Sequence, residues 1–195
     1  MHVFCLALPK AGTSSFDAAV RTLGLRSCHD VGVSRRIARW AAGVGPRPAA
    51  LDRYDAFSDG PLVTAAEALY ERMPEARFVI IRRDLESWLT SRLVHVLWNR
   101  VTGEGRMRAF HDAAWTRQWR AAEAVYATMR GRDRVCDLTL GEDDWSPLCR
   151  LLGRPLPAGP FPRRNTGVDK LRRLADRAAS RREAPSSPSA SRERQ

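Results

Sequence analysis

The stretch of this sequence best suited to chemistry is Leu8-Pro9-Lys10-Ala11-Gly12-Thr13-Ser14-Ser15, where one lysine, one glycine and three hydroxyl residues follow an apolar run. That run, His2 to Leu8, has the length and continuity of a strand buried on both faces. Pro9 ends it, and Gly12 allows the backbone to approach a ligand closely. Thr13, Ser14 and Ser15 then open a helix, whose first N–H groups and positive dipole end attract anions. A Ser/Thr-rich helix cap after a strand is also common structure with no ligand at all. Composition favours the anion: of 33 basic residues only Lys10 and Lys170 are lysines, in a chain that otherwise takes its positive charge from arginine.

The elements that must position this loop follow in order. Phe16, Ala19, Val20 and Leu23 recur at helical spacing, and Gly24 sits where that helix would end. Between residues 26 and 50, Cys28-His29-Asp30 reads as a short strand or a loop, Ser34 to Ala42 as a basic helix, and Gly43 to Pro48 as a turn-rich connection. Tyr54 to Ser58 reads as a second core strand that runs into Asp59-Gly60-Pro61. Leu62, Ala65, Ala66, Leu69 and Tyr70 then make a helical face ended by Pro74. Arg77 to Ile81 is the clearest strand; it ends in Arg82-Arg83-Asp84, with Asp84 as the cap of a helix through Leu85, Trp88, Leu89, Leu93 and Val94. Met107 to Arg130 holds an amphipathic helix whose tryptophans read as core. Val135 to Leu140 is a last strand, Trp145 to Leu152 a last helix, and Gly153 to Pro162 an extended return.

Strands separated by helices imply parallel pairing and an α/β fold of three layers around a central, mostly parallel sheet. In such sheets ligands gather at the carboxyl ends of the strands. The loop at 9–15, Asp59 and Arg82/Arg83 each follow a predicted strand directly, which puts them along one edge. We expect a domain over residues 1–171 and a basic, disordered tail over 172–195, where the chain turns to Arg, Ala, Ser, Pro and Glu.

The formal net charge is +11, and residues 163–195 carry ten Lys/Arg against four Asp/Glu. The remainder is still basic enough to attract a polyanionic ligand. Cys5, Cys28, Cys136 and Cys149 form no C-x-x-C pair and have no histidine at zinc-finger spacing, which points away from a metal site and a disulfide framework and toward reduced, cytoplasmic thiols. The N-terminus has no basic n-region, and no stretch approaches the roughly 18 apolar residues of a membrane span.

The loop Leu8 to Ser15 resembles the 5′-phosphosulfate loop of sulfotransferases that use 3′-phosphoadenosine-5′-phosphosulfate (PAPS) as sulfonate donor. Ile80-Ile81-Arg82-Arg83-Asp84-Leu85-Glu86-Ser87-Trp88-Leu89-Thr90-Ser91 is similar to the family's 3′-phosphate segment, where a strand-end arginine precedes a serine by eight residues, as Arg83 precedes Ser91. Tyr54 to Pro61 matches the second strand and acidic turn of a single-domain branch of the family. Asp144 to Gly153, continuing through Phe161 to Asn165, matches its carboxyl-terminal helix and return. Together these matches run from about residue 5 to 165 in the family's order. The fold so implied is the P-loop-nucleotide-hydrolase-like sulfotransferase fold. Leu85 stands where the family commonly has proline after the acidic residue, so Arg82 and Arg83 both stay candidates for the 3′-phosphate. Ser15 stands where many members have an aromatic that stacks on adenine, and Phe16 is one position later.

The resemblance implies transfer of a sulfonate from PAPS to a hydroxyl of a small-molecule acceptor, with adenosine 3′,5′-bisphosphate as product. Lys10 would stabilise the leaving phosphate oxygen; Ala11, Gly12, Thr13, Ser14 and Ser15 would cradle the 5′-phosphate; Arg83 and Ser91 would hold the 3′-phosphate. Asp59 is the first candidate for the proton acceptor, at the same edge as Lys10, and is equally suited to capping the helix near Pro61. His29 is the second. Neither a metal nor nucleic acid is expected as a partner. A nucleotide kinase is the nearest enzymatic rival, but G-x-x-x-x-G-K-[ST] is missing and the lysine precedes the glycine. An arginine-rich nucleic-acid or acidic-surface binder is the non-enzymatic rival.

Overall fold

A computed structural model of the chain describes residues 1–103, 109–139, 145–164 and 172. Five strands form one all-parallel sheet: β1 (Val3–Leu6), β2 (Ser27–Cys28), β3 (Ala56–Ser58), β4 (Arg77–Arg82) and β5 (Val135–Thr139), in the order β2-β3-β1-β4-β5. Every residue of β1 has zero exposure, as do Phe78 to Ile81 of β4. Parallel strands covered on both faces have no polar side to show, which is why both read as unbroken apolar runs.

The helices are α1 (Thr13–Thr22), α2 (Val31–Ala41), α3 (Ala50–Arg53), α4 (Ala66–Arg72), α5 (Leu85–Thr102), α6 (Asp112–Met129) and α7 (Ser146–Leu152), with a 3-10 helix at Gly60–Ala65. The chain leaves β1 through α1 toward β2, returns through α2 to β3, then crosses past β1 to β4. Right-handed crossovers therefore put α1 on one face and α2 on the other. On that second face α2 packs against the 3-10 helix and α4, and α6 packs against both of these. Helices thus cover both faces, and the order reverses at β1.

Register levels the strand ends. Cys5 pairs with Ser58 on one side and with Val79 on the other. The segments after β1, β3 and β4 therefore emerge together at one edge, between diverging helices, which is where parallel sheets hold ligands.

Local differences from expectation have local causes. The strand expected from Tyr54 begins at Ala56, although the Asp55 backbone already bonds to both neighbours, its carbonyl accepting from Val3 N–H and its N–H donating to the Arg26 carbonyl. The single helix expected through Leu62 is split at Ala65/Ala66: Leu62 donates to the Asp59 carbonyl in an i to i+3 bond, and α-helical bonding starts only at Ala66. The segment 26–50 resolves into β2, α2 and α3, with Asp30 capping α2 through Val33 N–H. The helix expected from Met107 begins at Asp112. Met107, Leu140, Asp144, Asn165 and the tail from 173 onward lie outside the described residues. One compact unit spans Met1–Arg164.

Candidate active site

The loop after β1 is held in an unusual shape. Lys10 has φ 72° and Gly12, the residue preceding α1, has φ 126°. A glycine tolerates that geometry freely, whereas lysine in the left-handed region is strained. Ala11 N–H closes the turn onto the Leu8 carbonyl at 3.0 Å, and Ser15 and Phe16 N–H both bond the Gly12 carbonyl. The N–H groups of Gly12 and Thr13 take no backbone partner among the described residues, leaving donors at the head of α1 for an anion.

Side chains from α5 and from the β4–α5 connection grip this loop. Trp88, fully buried, donates its indole N–H to the Pro9 carbonyl at 2.8 Å. Arg83 donates through Nη1 to the next carbonyl, that of Lys10, at 3.2 Å. The two neighbouring arginines therefore diverge. Arg82 is turned to α6, paired with Glu123 at 2.7 Å, a bond that raises its pKa further above the ordinary arginine value. Arg83 turns to the loop, its own carbonyl taking the Trp119 indole N–H at 3.0 Å. Asp84 caps α5 by accepting from Ser87 N–H, which holds its carboxyl below the usual range. Ser91 is half-buried on α5, and no hydrogen bond joins it to Arg83.

Asp59 faces the loop from β3. Its backbone, φ 150° and ψ 162°, lies in a region that glycine alone occupies readily. Among the described residues, Lys10 and Asp59 are the two non-glycines at positive φ. Asp59 caps the 3-10 helix, with Oδ1 accepting from Gly60 N–H at 3.0 Å, so its capping role is realised. Its other oxygen, Oδ2, lies 4.0 Å from His29 Nε2, with the two side chains 17% and 29% exposed: sheltered, yet reachable. Gly60 touches Pro9 so closely that a Cβ there would meet the ring at 2.9 Å, so the acidic turn and the loop after β1 pack as one piece. The structure thus brings together Lys10, Arg83, Asp59 and His29 around one strand edge, and leaves Arg82 aside.

Other features were not legible in advance. Phe16 has zero exposure and belongs to the core, so it offers no face to a base. Ser15 is 4% exposed, and its hydroxyl accepts from Arg164 N–H at 3.1 Å across 149 positions of sequence. Arg92, 4% exposed, is sandwiched between Trp88 and Trp115 with its guanidinium 4.9 and 4.2 Å from the ring centroids. Burial lowers its pKa to about 10, which leaves it a cation at neutral pH. Cys5, buried beneath the loop, is pushed up by burial and then by the Asp59 charge, which keeps it an unreactive thiol.

A parallel sheet that reverses at β1 and carries a lysine- and glycine-bearing loop into a helix is an α/β fold of P-loop type. The family is narrower. A model of the sulfotransferase domain matches residues 2–132 and 90–169, and the chain belongs to that enzyme family. Among solved structures, a sulfotransferase from Alicyclobacillus acidocaldarius superposes with a TM-score of 0.53 at 15% identity, over 92% of this chain and 91% of that one. A gluconokinase from Sinorhizobium meliloti 1021 superposes at a TM-score of 0.43 and 13% identity, over 92% of this chain and 96% of that one. No curated protein sequence matches. Among the described residues no helix is long and apolar enough to cross a membrane.

Proposed function

We propose that this sulfotransferase moves a sulfonate group from PAPS to a hydroxyl of a small-molecule acceptor, with residues 1–171 carrying the activity and 172–195 appended to it. The observation that carries the reading is the contact between Arg83 and the Lys10 carbonyl: it sets a guanidinium against the lysine-bearing loop that leads into the N–H groups heading α1, an arrangement suited to a ligand with two separated phosphates. The donor brings an anhydride-linked sulfonyl group and leaves as adenosine 3′,5′-bisphosphate.

Each residue then has a task. Lys10 neutralises the charge that grows on the departing 5′-phosphate oxygen. The backbone from Ala11 to Ser14, with the Thr13 and Ser14 hydroxyls, cradles that phosphate, while Ser15 ties the return at Arg164 to it. Arg83 pairs with the 3′-phosphate, and Ser91 adds a hydroxyl from two turns along α5. Asp59 takes the acceptor's proton, and His29 beside it is the alternative base. The engagement of Arg82 by Glu123 supports Arg83 over its neighbour. The four cysteines, present as thiols, fit a reducing, cytoplasmic setting.

Calorimetric titration tests the donor. Adenosine 3′,5′-bisphosphate should bind and ATP should not, and Arg83→Ala should weaken the bisphosphate by about ten- to a hundredfold, the range of hydrogen bonds to a charged group. Equal binding of both nucleotides by the parent would sink the reading. If Arg82→Ala weakened the bisphosphate and Arg83→Ala did not, the 3′-phosphate would pass to Arg82.

A further inference from the structure

We propose that Trp88 is a positioning residue for Lys10, acting by fixing the plane of the Pro9–Lys10 peptide; the inference rests on the donor reading above. The indole N–H reaches the Pro9 carbonyl at 2.8 Å from a side chain with zero exposure. A trans peptide is planar, so a carbonyl turned toward α5 turns the Lys10 N–H the opposite way. Were that plane to flip, the Lys10 Cα would turn with it and carry its side chain away from the place where charge gathers on the departing oxygen. Three contacts resist the flip. Trp88 holds the Pro9 carbonyl, Gly60 crowds the Pro9 ring, and Arg83 holds the Lys10 carbonyl one residue on.

Trp88 is itself clamped. Arg92, one turn along α5, lies over its ring and over that of Trp115 on α6, so the indole cannot swing without dragging a buried cation. The strain of Lys10 at φ 72° is of the kind that persists only where surrounding contacts hold it. The indole N–H thus acts on turnover by setting where the lysine stands, and it touches neither donor nor acceptor.

The test is Trp88→Phe, which removes the N–H and keeps an aromatic ring for Arg92. PAPS is supplied with water as acceptor, and release of adenosine 3′,5′-bisphosphate and sulfate is followed. We expect kcat to fall about tenfold, the worth of one net hydrogen bond, with bisphosphate affinity within about twofold of the parent. An unchanged kcat, or a loss carried wholly by KM, overturns the proposal. Should Trp88→Phe fail to fold, the parent's indole N–H signals decide: Trp88 should be protected from exchange and should shift on saturation with the bisphosphate, and an unshifted signal overturns it. A parent that neither binds the bisphosphate nor releases sulfate would instead defeat the donor reading, so the two failures are told apart.

Discussion

The two ends of the central sheet are built on opposite terms. Toward the strand starts, Phe57, Phe4 and Phe78 stack across β3, β1 and β4 with ring centroids 5.5 and 5.7 Å apart, and Tyr70 tilts onto Phe78 at 5.6 Å. Arg134 lies 3.7 Å over the Tyr70 ring and donates to the carbonyls of Tyr70, Met73 and Ala76, while Asp133 accepts from the Tyr70 hydroxyl. At the strand ends, by contrast, two non-glycine residues sit at positive φ and backbone donors stand open. One end concentrates apolar area and satisfied hydrogen bonds; the other concentrates strain and unmet polarity. The contrast teaches that this fold supports its site from a distance, with stability placed where no ligand is handled.

The contrast is open to attack from both ends. Phe4→Ala should cost about 3–5 kcal/mol of stability, because it empties the middle of the ring stack, and urea denaturation would measure it. Lys10→Ala should leave the denaturation midpoint near the parent's while slowing sulfate release from PAPS by about 10²–10³, the size of a lost oxyanion donor. If Lys10→Ala unfolded the protein, the separation of the two ends would be wrong. Asp59→Gly sharpens the point further. Glycine accepts the φ 150° backbone and costs only a few tenths of a kcal/mol as a cap, so the variant should gain about 1 kcal/mol while losing transfer to the acceptor. A destabilised Asp59→Gly would mean that the backbone there is not strained.

The smallest effect is expected at Asp55, which joins the starts of β2 and β3. Arg26 holds its carboxyl at a pKa of about 2, first through their side-chain hydrogen bond and with help from the Arg26 backbone N–H. A depressed folded value means that this stabilisation is complete above the unfolded carboxylate range, near pH 4, and fades as pH falls toward 2. Asp55→Asn should therefore lower the melting temperature by a few degrees at neutral pH and by much less near pH 2. A shift that stayed undiminished at pH 2 would assign the effect to packing.

What the sequence could disclose depended on how local each signal was. β1 and β4 were legible because burial on both faces forces continuous apolar runs, and Asp84 was legible as a cap because capping is a matter of adjacent residues. The two-residue strand Ser27–Cys28 carries too little pattern to be told from a loop. Within the site, the placing of Lys10, Asp59 and Arg83 along one edge followed from each coming directly after a strand of a parallel sheet. The left-handed backbone at Lys10 and the glycine-like backbone at Asp59 had no signal, since neither residue type announces positive φ. Trp88 read as helix core, which it is, and only the fold reveals that its N–H reaches a carbonyl 79 positions away.

The brevity of β2 bears on how the protein behaves in concentrated solution. An exposed strand edge is a template for another chain, and long flat edges nucleate aggregates. Here one border of the sheet ends in a strand of two residues, and the other, β5, carries Asp137 bonded to Arg130 at 2.6 Å. Among the described residues, neither border offers a long apolar ladder to a newcomer. A fold that spends its strain at the strand ends is thereby kept from spreading sideways, and crowding should press these molecules together without knitting their sheets into one.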